Sequence, residues 1–312
     1  IRWGTRFDRR EDGGFDLHRE GGHSEHRILH YQDLTGAEIE RALIEQVRNH
    51  PNITILEDHF AVDLLTQHHL GEIVTRHTRG LACFGAYILN TETNEIFTCL
   101  AKFTVVAAGG CGNIYHTTTN PKVATGDGIA MGTAIGAATV DMEQIQTHPT
   151  VHPETQTMYT EAVRGNGAII VNKEGARFTN EMGTRDVVSA AILEQTDGQA
   201  WLIFDEAVRK SLKAIEGYIS AGIVFQSETI EGLAAEIGAD PATLSATMAK
   251  FADDVKAGNE DEFGRAGLEL PLTEANFYAC MVAPAIHHTM GGLKINTAAE
   301  VLNEEGNAIA GL

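Results

Sequence analysis

The chain has 312 residues, with 43 acidic against 23 basic side chains and a formal net charge of −20. Hydrophobic residues make up 43% and charged residues 21%, enough to bury a full core, which argues against a disordered chain. The acidic balance argues against nucleic acid and anionic membranes as partners, because counterion release needs clustered Lys and Arg. No apolar run approaches the roughly 18 residues of a bilayer span, so no integral membrane segment is expected.

At roughly 150 residues per domain, the length predicts about two domains. The four cysteines, Cys83, Cys99, Cys111 and Cys280, form no C-x-x-C or zinc-ribbon spacing. They read as buried thiols in a reducing compartment, with no metal site. The chain opens on Ile1 and closes on Gly311-Leu312, and both ends read as cuts through a longer protein.

In chain order, Ile39, Leu43 and Val47 form one apolar stripe of a helix over 36–50. Thr35 with Glu38 three residues on is a capping-box signature, and Pro51 ends the helix. Strand-like runs follow at 53–56, 60–65, 83–89 and 97–108, with a turn at 90–95. From 126 to 138, Gly128, Gly132 and Gly136 recur every four residues. On a helix they form one smooth side, suited equally to tight helix–sheet packing and to a flat ligand.

Beyond residue 145 come two short strands, 168–172 and 201–204, and helices at 186–195, 206–216, 229–237 and 240–255. Asp240-Pro241 gives the last of these an N-cap and a proline at its first position. The final residues return to a strand, LKIN, and a turn at 303–306.

Four stretches concentrate reactive groups. In QTHPT (146–150) Pro149 biases His148 towards extended backbone, so its ring is expected to project from an irregular segment. A hydrogen-bonded structural histidine is the alternative. In TEAVRGNG (160–167) a hydroxyl, a carboxylate and a guanidinium stand within five residues; they suit a polar pocket wall or a solvated i, i+3 ion pair. In TRD (184–186) Arg185 can clamp a carboxylate with its planar fork or sit solvated at a helix start. In HHTMGG (287–292) two glycines beside His287 permit close approach to a planar group. Such a set in an acidic chain suggests a small anionic ligand. G-x-S-x-G, H-E-x-x-H and the P-loop pattern do not occur, and Gly126-Asp127-Gly128 with Gly132 is one residue too long for a dinucleotide fingerprint.

These motifs, with REGGHS (19–24), TVVAAGG (104–110) and TGDG (125–128), carry a resemblance over essentially the whole chain. The sequence resembles the flavoprotein family of succinate dehydrogenase, fumarate reductase and L-aspartate oxidase. Up to about residue 130, REGGHS, AAGG and TTTNP look like L-aspartate oxidase. Beyond about residue 135, the runs at 160–178, 204–218 and 283–293 look like soluble, flavocytochrome-type fumarate reductase.

The resemblance implies an α/β (α+β) fold. A discontinuous FAD-binding domain of the glutathione-reductase-like type, lacking its first βαβ, would be interrupted by a mixed α+β capping domain. The implied boundaries are 1–144 and 289–312 for the FAD-binding domain and 145–288 for the cap. FAD is the implied cofactor, with Asp127 against the flavin and Ala61, Val62, Ala108 and Gly109 lining it. His148, Thr160, Glu161 and His287 are implied to hold a C4 dicarboxylate: fumarate, succinate or aspartate. Arg185 is implied as proton donor, with Glu161 and Arg164 relaying protons to it.

The implied reaction is reduction of fumarate to succinate. L-aspartate oxidation to iminoaspartate is the first alternative, other acrylate reductases a further one, and a non-catalytic dicarboxylate-binding module the last. An electron-donor domain or subunit is expected outside this chain. The expected location is cytoplasmic, or periplasmic if the fumarate reductases are the closer kin.

Overall fold

A computed structural model describes residues 1–18, 25–32, 34–258, 260–266 and 270–312, so the REGGHS stretch lies outside the described residues. The chain forms two compact units. One comprises Ile1–Ile53 and Thr147–Ala285, the other Thr54–Gln146 and Ile286–Leu312. Residues 1–53 thus group with 147–285, whereas the sequence-based division joins them to 54–144.

Near the start, β1 (Leu17–His18) pairs antiparallel with β2 (Ile28–Leu29), and helix α1 spans Thr35–Arg48. The capping box does not form. Glu38 instead accepts from the backbone N–H of Arg6 and from Arg41, and Thr35 Oγ1 accepts from the Tyr31 N–H. Arg41, followed by the Arg6 N–H, holds the Glu38 carboxyl down at about 2. The carboxylate therefore ties the helix to an upstream segment rather than closing its own first turn.

The second unit begins with an antiparallel sheet ordered β3 (His59–Leu64), β4 (Gly85–Asn90), β5 (Glu95–Leu100). Asn90 makes the β4–β5 turn, its side chain accepting from the N–H groups of Glu92 and Thr93. Gly85 lies at φ +133°, and a Cβ there would stand 1.9 Å from the Cys99 carbonyl oxygen, so only glycine allows this register. The 53–56 run is irregular, and strand pairing after β5 stops at Leu100, leaving 101–110 outside any ladder. Alternation alone overextended these strands because it cannot see whether a neighbour is there to pair.

Helix α2 (Asp127–Ala134) is shorter than the glycine spacing predicts, since Gly136 turns left-handed at φ +95°. All three glycines serve close packing, a Cβ on Gly136 meeting the Arg76 Cα at 2.8 Å. A Cβ on Gly128 would meet Val106 at 2.7 Å, and one on Gly132 would meet Leu293 at 2.6 Å. A two-residue strand, β6 (Thr139–Val140), follows.

The larger core belongs to the first unit. Its elements are β7 (Ile145–Val151) from Thr147 onward, α3 (Glu161–Gly165), β8 (Ile169–Val171), α4 (Arg185–Leu193), β9 (Ala200–Asp205), α5 (Glu206–Ser211), α6 (Ala214–Ser220), β10 (Phe225–Ser227), α7 (Ile230–Ile237), α8 (Pro241–Ala257) and β11 (Phe277–Thr289) as far as Ala285. The strand order is β10-β11-β9-β8, with β7 also on β11.

All six residues of β9 are buried, which is why this strand reads as a continuous apolar run rather than an alternation. Phe204 stacks on Tyr278 across the sheet, centroids 5.3 Å apart. Leu244, Met248 and Phe251 of α8 are buried in the same cluster, and the helix starts as predicted, with Asp240 accepting from the Thr243 N–H. The single helix expected at 206–216 is two, because Leu212 adopts extended backbone. Finally β12 (Gly292–Leu293) pairs with β6 in the second unit, and the turn at 303–306 forms as expected.

Candidate active site

In the first unit, β7 carries His148 and Thr150, both buried. The extended bias before Pro149 produces a strand here, not the irregular segment expected. Two residues apart on a strand, the side chains share a face, and the Thr150 N–H donates to His148 Nδ1 at 3.3 Å. Thr160 is the N-cap residue of α3, its N–H donating to the Tyr218 hydroxyl at 3.1 Å.

One helical turn places Glu161 and Arg164 together, and Arg164 Nη2 donates to Glu161 Oε1 at 3.2 Å. Arg185, the first residue of α4, grips the same carboxylate through both oxygens, Nε to Oε1 at 2.8 Å and Nη2 to Oε2 at 3.0 Å. Arg164 is buried, so the pair is not the solvated surface bridge that spacing alone equally allowed. Burial pushes the Glu161 carboxyl up, but the Arg185 fork, then the charges of Arg164 and His148, more than offset this and leave it below the usual carboxylate range. Burial likewise leads the downward shift of Arg164.

Behind these residues lies a set that the motifs did not reveal. Arg164 Nη1 donates to the Glu181 carbonyl at 2.7 Å. The Glu181 carboxylate is fully buried and accepts from the Ile170 N–H, from Arg177 through two nitrogens at 2.8 Å, and from Arg265 at 3.0 Å. Arg177 also pairs with Asp261 at 2.8 Å, and Arg265 Nη2 donates back to the Arg164 carbonyl at 3.1 Å. In this linked set the arginines 164, 177, 185 and 265 face three carboxylates, Glu161, Glu181 and Asp261. Sequence spacing could have paired Arg177 with Glu181 at i, i+4, but a buried charge and a solvated one look alike in sequence, and the Arg265–Glu181 pair spans 84 residues.

In the second unit, a largely apolar cavity of about 420 Å³ is lined by residues of β3, β4, β5, the 101–108 segment and α2. Ala61 and Ala108 are among them. Val62 stands at the register shift between Ala61 and Asp63 and is 42% exposed. Gly109 lies at φ +73° with open space where a Cβ would point. Asp127 opens α2 and accepts from the Thr125 hydroxyl at 2.7 Å. His287, on β11, has Nδ1 2.7 Å from Thr119 Oγ1, and the adjacent His288 is exposed. The structure thus joins Glu161, Arg164 and Arg185 directly, and sets Ala61 and Ala108 on one cavity wall.

A broad, apolar, glycine-edged wall suits a flat ring system, and that is the class to which the chain belongs: it is a member of the FAD binding domain family, whose model matches residues 1–312. It is 47% identical over 194 residues to a fumarate reductase (cytochrome) of Shewanella frigidimarina, covering 62% of this chain and 34% of that protein. It is 42% identical over 224 residues to L-aspartate oxidase 2-a, chloroplastic, of Nicotiana tabacum, covering 66% of this chain and 34% of the relative. The chain therefore spans about a third of the length of these relatives.

Among solved structures, the open conformation of a flavocytochrome c3 fumarate reductase matches with a TM-score of 0.75 and 34% identity, over 100% of this chain and 54% of that one. The recognition of the family from motifs, its mixed α/β fold and FAD as its cofactor are all upheld. Among the described residues, no helix is long and apolar enough to cross a membrane.

The residues present fit the flat, apolar portion of FAD. The cavity wall is largely apolar, alanines and valines beside Leu64, Ile88, Phe103 and Met131, and at Gly109, just past the lining segment, the backbone stands open where any other residue would place a Cβ. Ala61, Ala108, Gly109 and the Asp127 end of α2 are the residues that would hold it.

Proposed function

We propose that the chain is the dicarboxylate-handling part of an FAD-dependent fumarate reductase. The observation that carries this reading is the bidentate Arg185–Glu161 pair, extended by Arg164 into a buried network of arginines and carboxylates. In this reading 145–288 is the cap, and 1–144 with 289–312 belong to the FAD-binding domain.

When bound, FAD supplies the hydride that the substrate double bond accepts. His148, Thr160 and His287 hold the two carboxylates by hydrogen bonds, which withdraws electron density from the double bond. Addition at one carbon leaves a carbanion at its neighbour. Arg185 protonates that carbanion, whose basicity supplies the driving force, since a guanidinium stays protonated to above pH ~12. Glu161, whose carboxyl is held below the usual range, orients Arg185; once Arg185 has given up its proton, Glu161 takes one from Arg164 and passes it on to Arg185, and Arg164 regains its proton from water.

The identity to L-aspartate oxidase supports one alternative substrate, aspartate, with its amino group replacing a carboxylate-side contact. Four cysteines without disulfides, one of them exposed, support a cytoplasmic location over a periplasmic one. An electron donor outside this chain completes the reading.

The test is the FAD-loaded protein given reduced viologen. Fumarate-dependent oxidation, lowered on the order of 100-fold or more in Arg185→Gln, is expected. Aspartate-dependent hydrogen peroxide without fumarate turnover would replace this reading with the oxidase.

A further inference from the structure

Arg265 has no part in the chemistry above, yet its guanidinium closes on Arg164 from two directions. Nη2 donates to the Arg164 carbonyl at 3.1 Å, in the single turn of α3. Nη1 donates to the Ala168 carbonyl at 2.9 Å, one residue before β8, and to the Glu181 carboxylate at 3.0 Å. Glu181 in turn presents its main-chain carbonyl to Arg164 Nη1 at 2.7 Å. The contacts form a closed ring: from Arg265 to the Arg164 main chain, along the Arg164 side chain to the Glu181 carbonyl, and from the Glu181 carboxylate back to Arg265.

Arg265 is itself fixed. Its N–H and that of Phe263 both donate to Asp261 Oδ1 at 2.9 Å, and the Asp261 N–H donates to the Arg265 carbonyl at 3.1 Å. The residue is buried, its guanidinium 5.5 Å from the centre of the Phe251 ring. A planar fork with three acceptors in a closed interior cannot turn without leaving a buried polar group unpaired.

The effect is felt at the far end of Arg164. With its carbonyl and Nη1 both held, Arg164 presents Nη2 to Glu161 Oε1 at 3.2 Å. That is the outer edge of the distance over which a side chain hands on a proton, so a small shift of α3 or of the guanidinium would part the two.

We infer that Arg265 is a positioning residue for the proton relay: its guanidinium ties the end of α3 to the Glu181 carboxylate and so keeps Arg164 Nη2 within reach of Glu161. This rests on the dicarboxylate reading above and adds to it the group that fixes the inner proton donor. Arg265 acts on the return of a proton to Arg185 and not on the substrate, so it governs kcat and leaves KM.

The experiment compares Arg265→Lys, which keeps a charge facing Glu181 and loses the fork, with Arg164→Lys and with the double variant. On the FAD-loaded full-length forms, kcat, KM and the solvent isotope effect are measured for fumarate, and the arginine side chains of the wild type are followed in ¹⁵N spectra. In Arg265→Lys, kcat should fall on the order of tenfold or more with KM changing less than about twofold. The solvent isotope effect on kcat should rise above the wild-type value, because proton return becomes limiting. Added to Arg164→Lys, the same substitution should lower kcat by less than about twofold further, since both act through one donor. The wild type should show separate, slowly exchanging Nη signals for Arg265.

An unchanged kcat and isotope effect in Arg265→Lys, or a loss that multiplies with that of Arg164→Lys, overturns the inference while leaving the functional reading intact. A wild-type spectrum in which the Arg265 Nη hydrogens exchange freely with water overturns it even if Arg265→Lys fails to fold. A wild type that reduces no fumarate overturns the functional reading and the relay together.

Discussion

In the unit built from 1–53 and 147–285, all six residues of β9 are buried, and behind that sheet Glu181 and the Asp261 side chain are fully enclosed with their arginines. In the unit built from 54–146 and 286–312, all six residues of β5 are exposed, and Phe103 and Val105 beyond it are at least 80% exposed. The first unit buries charged groups and pairs them with one another. The second leaves apolar surface and glycine backbone open around a 420 Å³ cavity. One region is therefore held by specific polar bonds inside an apolar shell, and the other is shaped for a broad, flat occupant.

The sharpest way to break that contrast is Glu181→Gln. It leaves Arg177 and Arg265 facing one carboxylate fewer in a closed interior, and should destabilise the first unit by about 3–5 kcal/mol, read from Trp201 fluorescence in urea. If the loss is under about 1 kcal/mol, the network behaves as a surface one and the contrast fails.

Gly85→Ala should be next, on the order of 3 kcal/mol, since the new Cβ would meet the Cys99 carbonyl at 1.9 Å. Hydrogen exchange should rise in the β4–β5 amides and stay unchanged in β9.

Acid should act on the first unit with a smaller effect. Glu161 and Asp261 have carboxyls held below their ordinary values of 4.5 and 3.8. A lowered folded pKa gives stability that is complete above the ordinary value and is lost as pH falls through the lowered one. The urea midpoint should therefore be flat above pH ~5 and fall below it, and Glu161→Gln should remove part of that slope. The smallest effect expected is Asp240→Ala, about 1 kcal/mol from losing the cap on the Thr243 N–H, measured by thermal unfolding.

The sequence revealed these regions unequally, for physical reasons. Helix α8 was readable because its start signals are local, a capping aspartate and a proline at the first position, while its end at Ala257 lies two residues beyond the reading. Strand β9 was readable because a doubly covered strand shows as an unbroken apolar run. The break at Leu212 was not, since nothing in KSLKAI differs from a continuous helix until tertiary packing pulls the backbone extended. At the site, the motifs exposed Glu161, Arg164 and Arg185 because they lie in short, unusual strings. Glu181 and Arg265 sit in ordinary strings, and the pair they form spans 84 residues.

The four thiols differ in a way that bears on experiment. Cys83, Cys111 and Cys280 are buried, and burial pushes Cys280 up to about 12, so it stays protonated and unreactive in neutral solution. Cys99 alone is exposed, it lies on β5, and it lines the apolar cavity. The wild-type chain therefore carries a natural single attachment point for a maleimide dye. A fluorophore there would report the arrival of any molecule that fills the cavity, without a single engineered substitution.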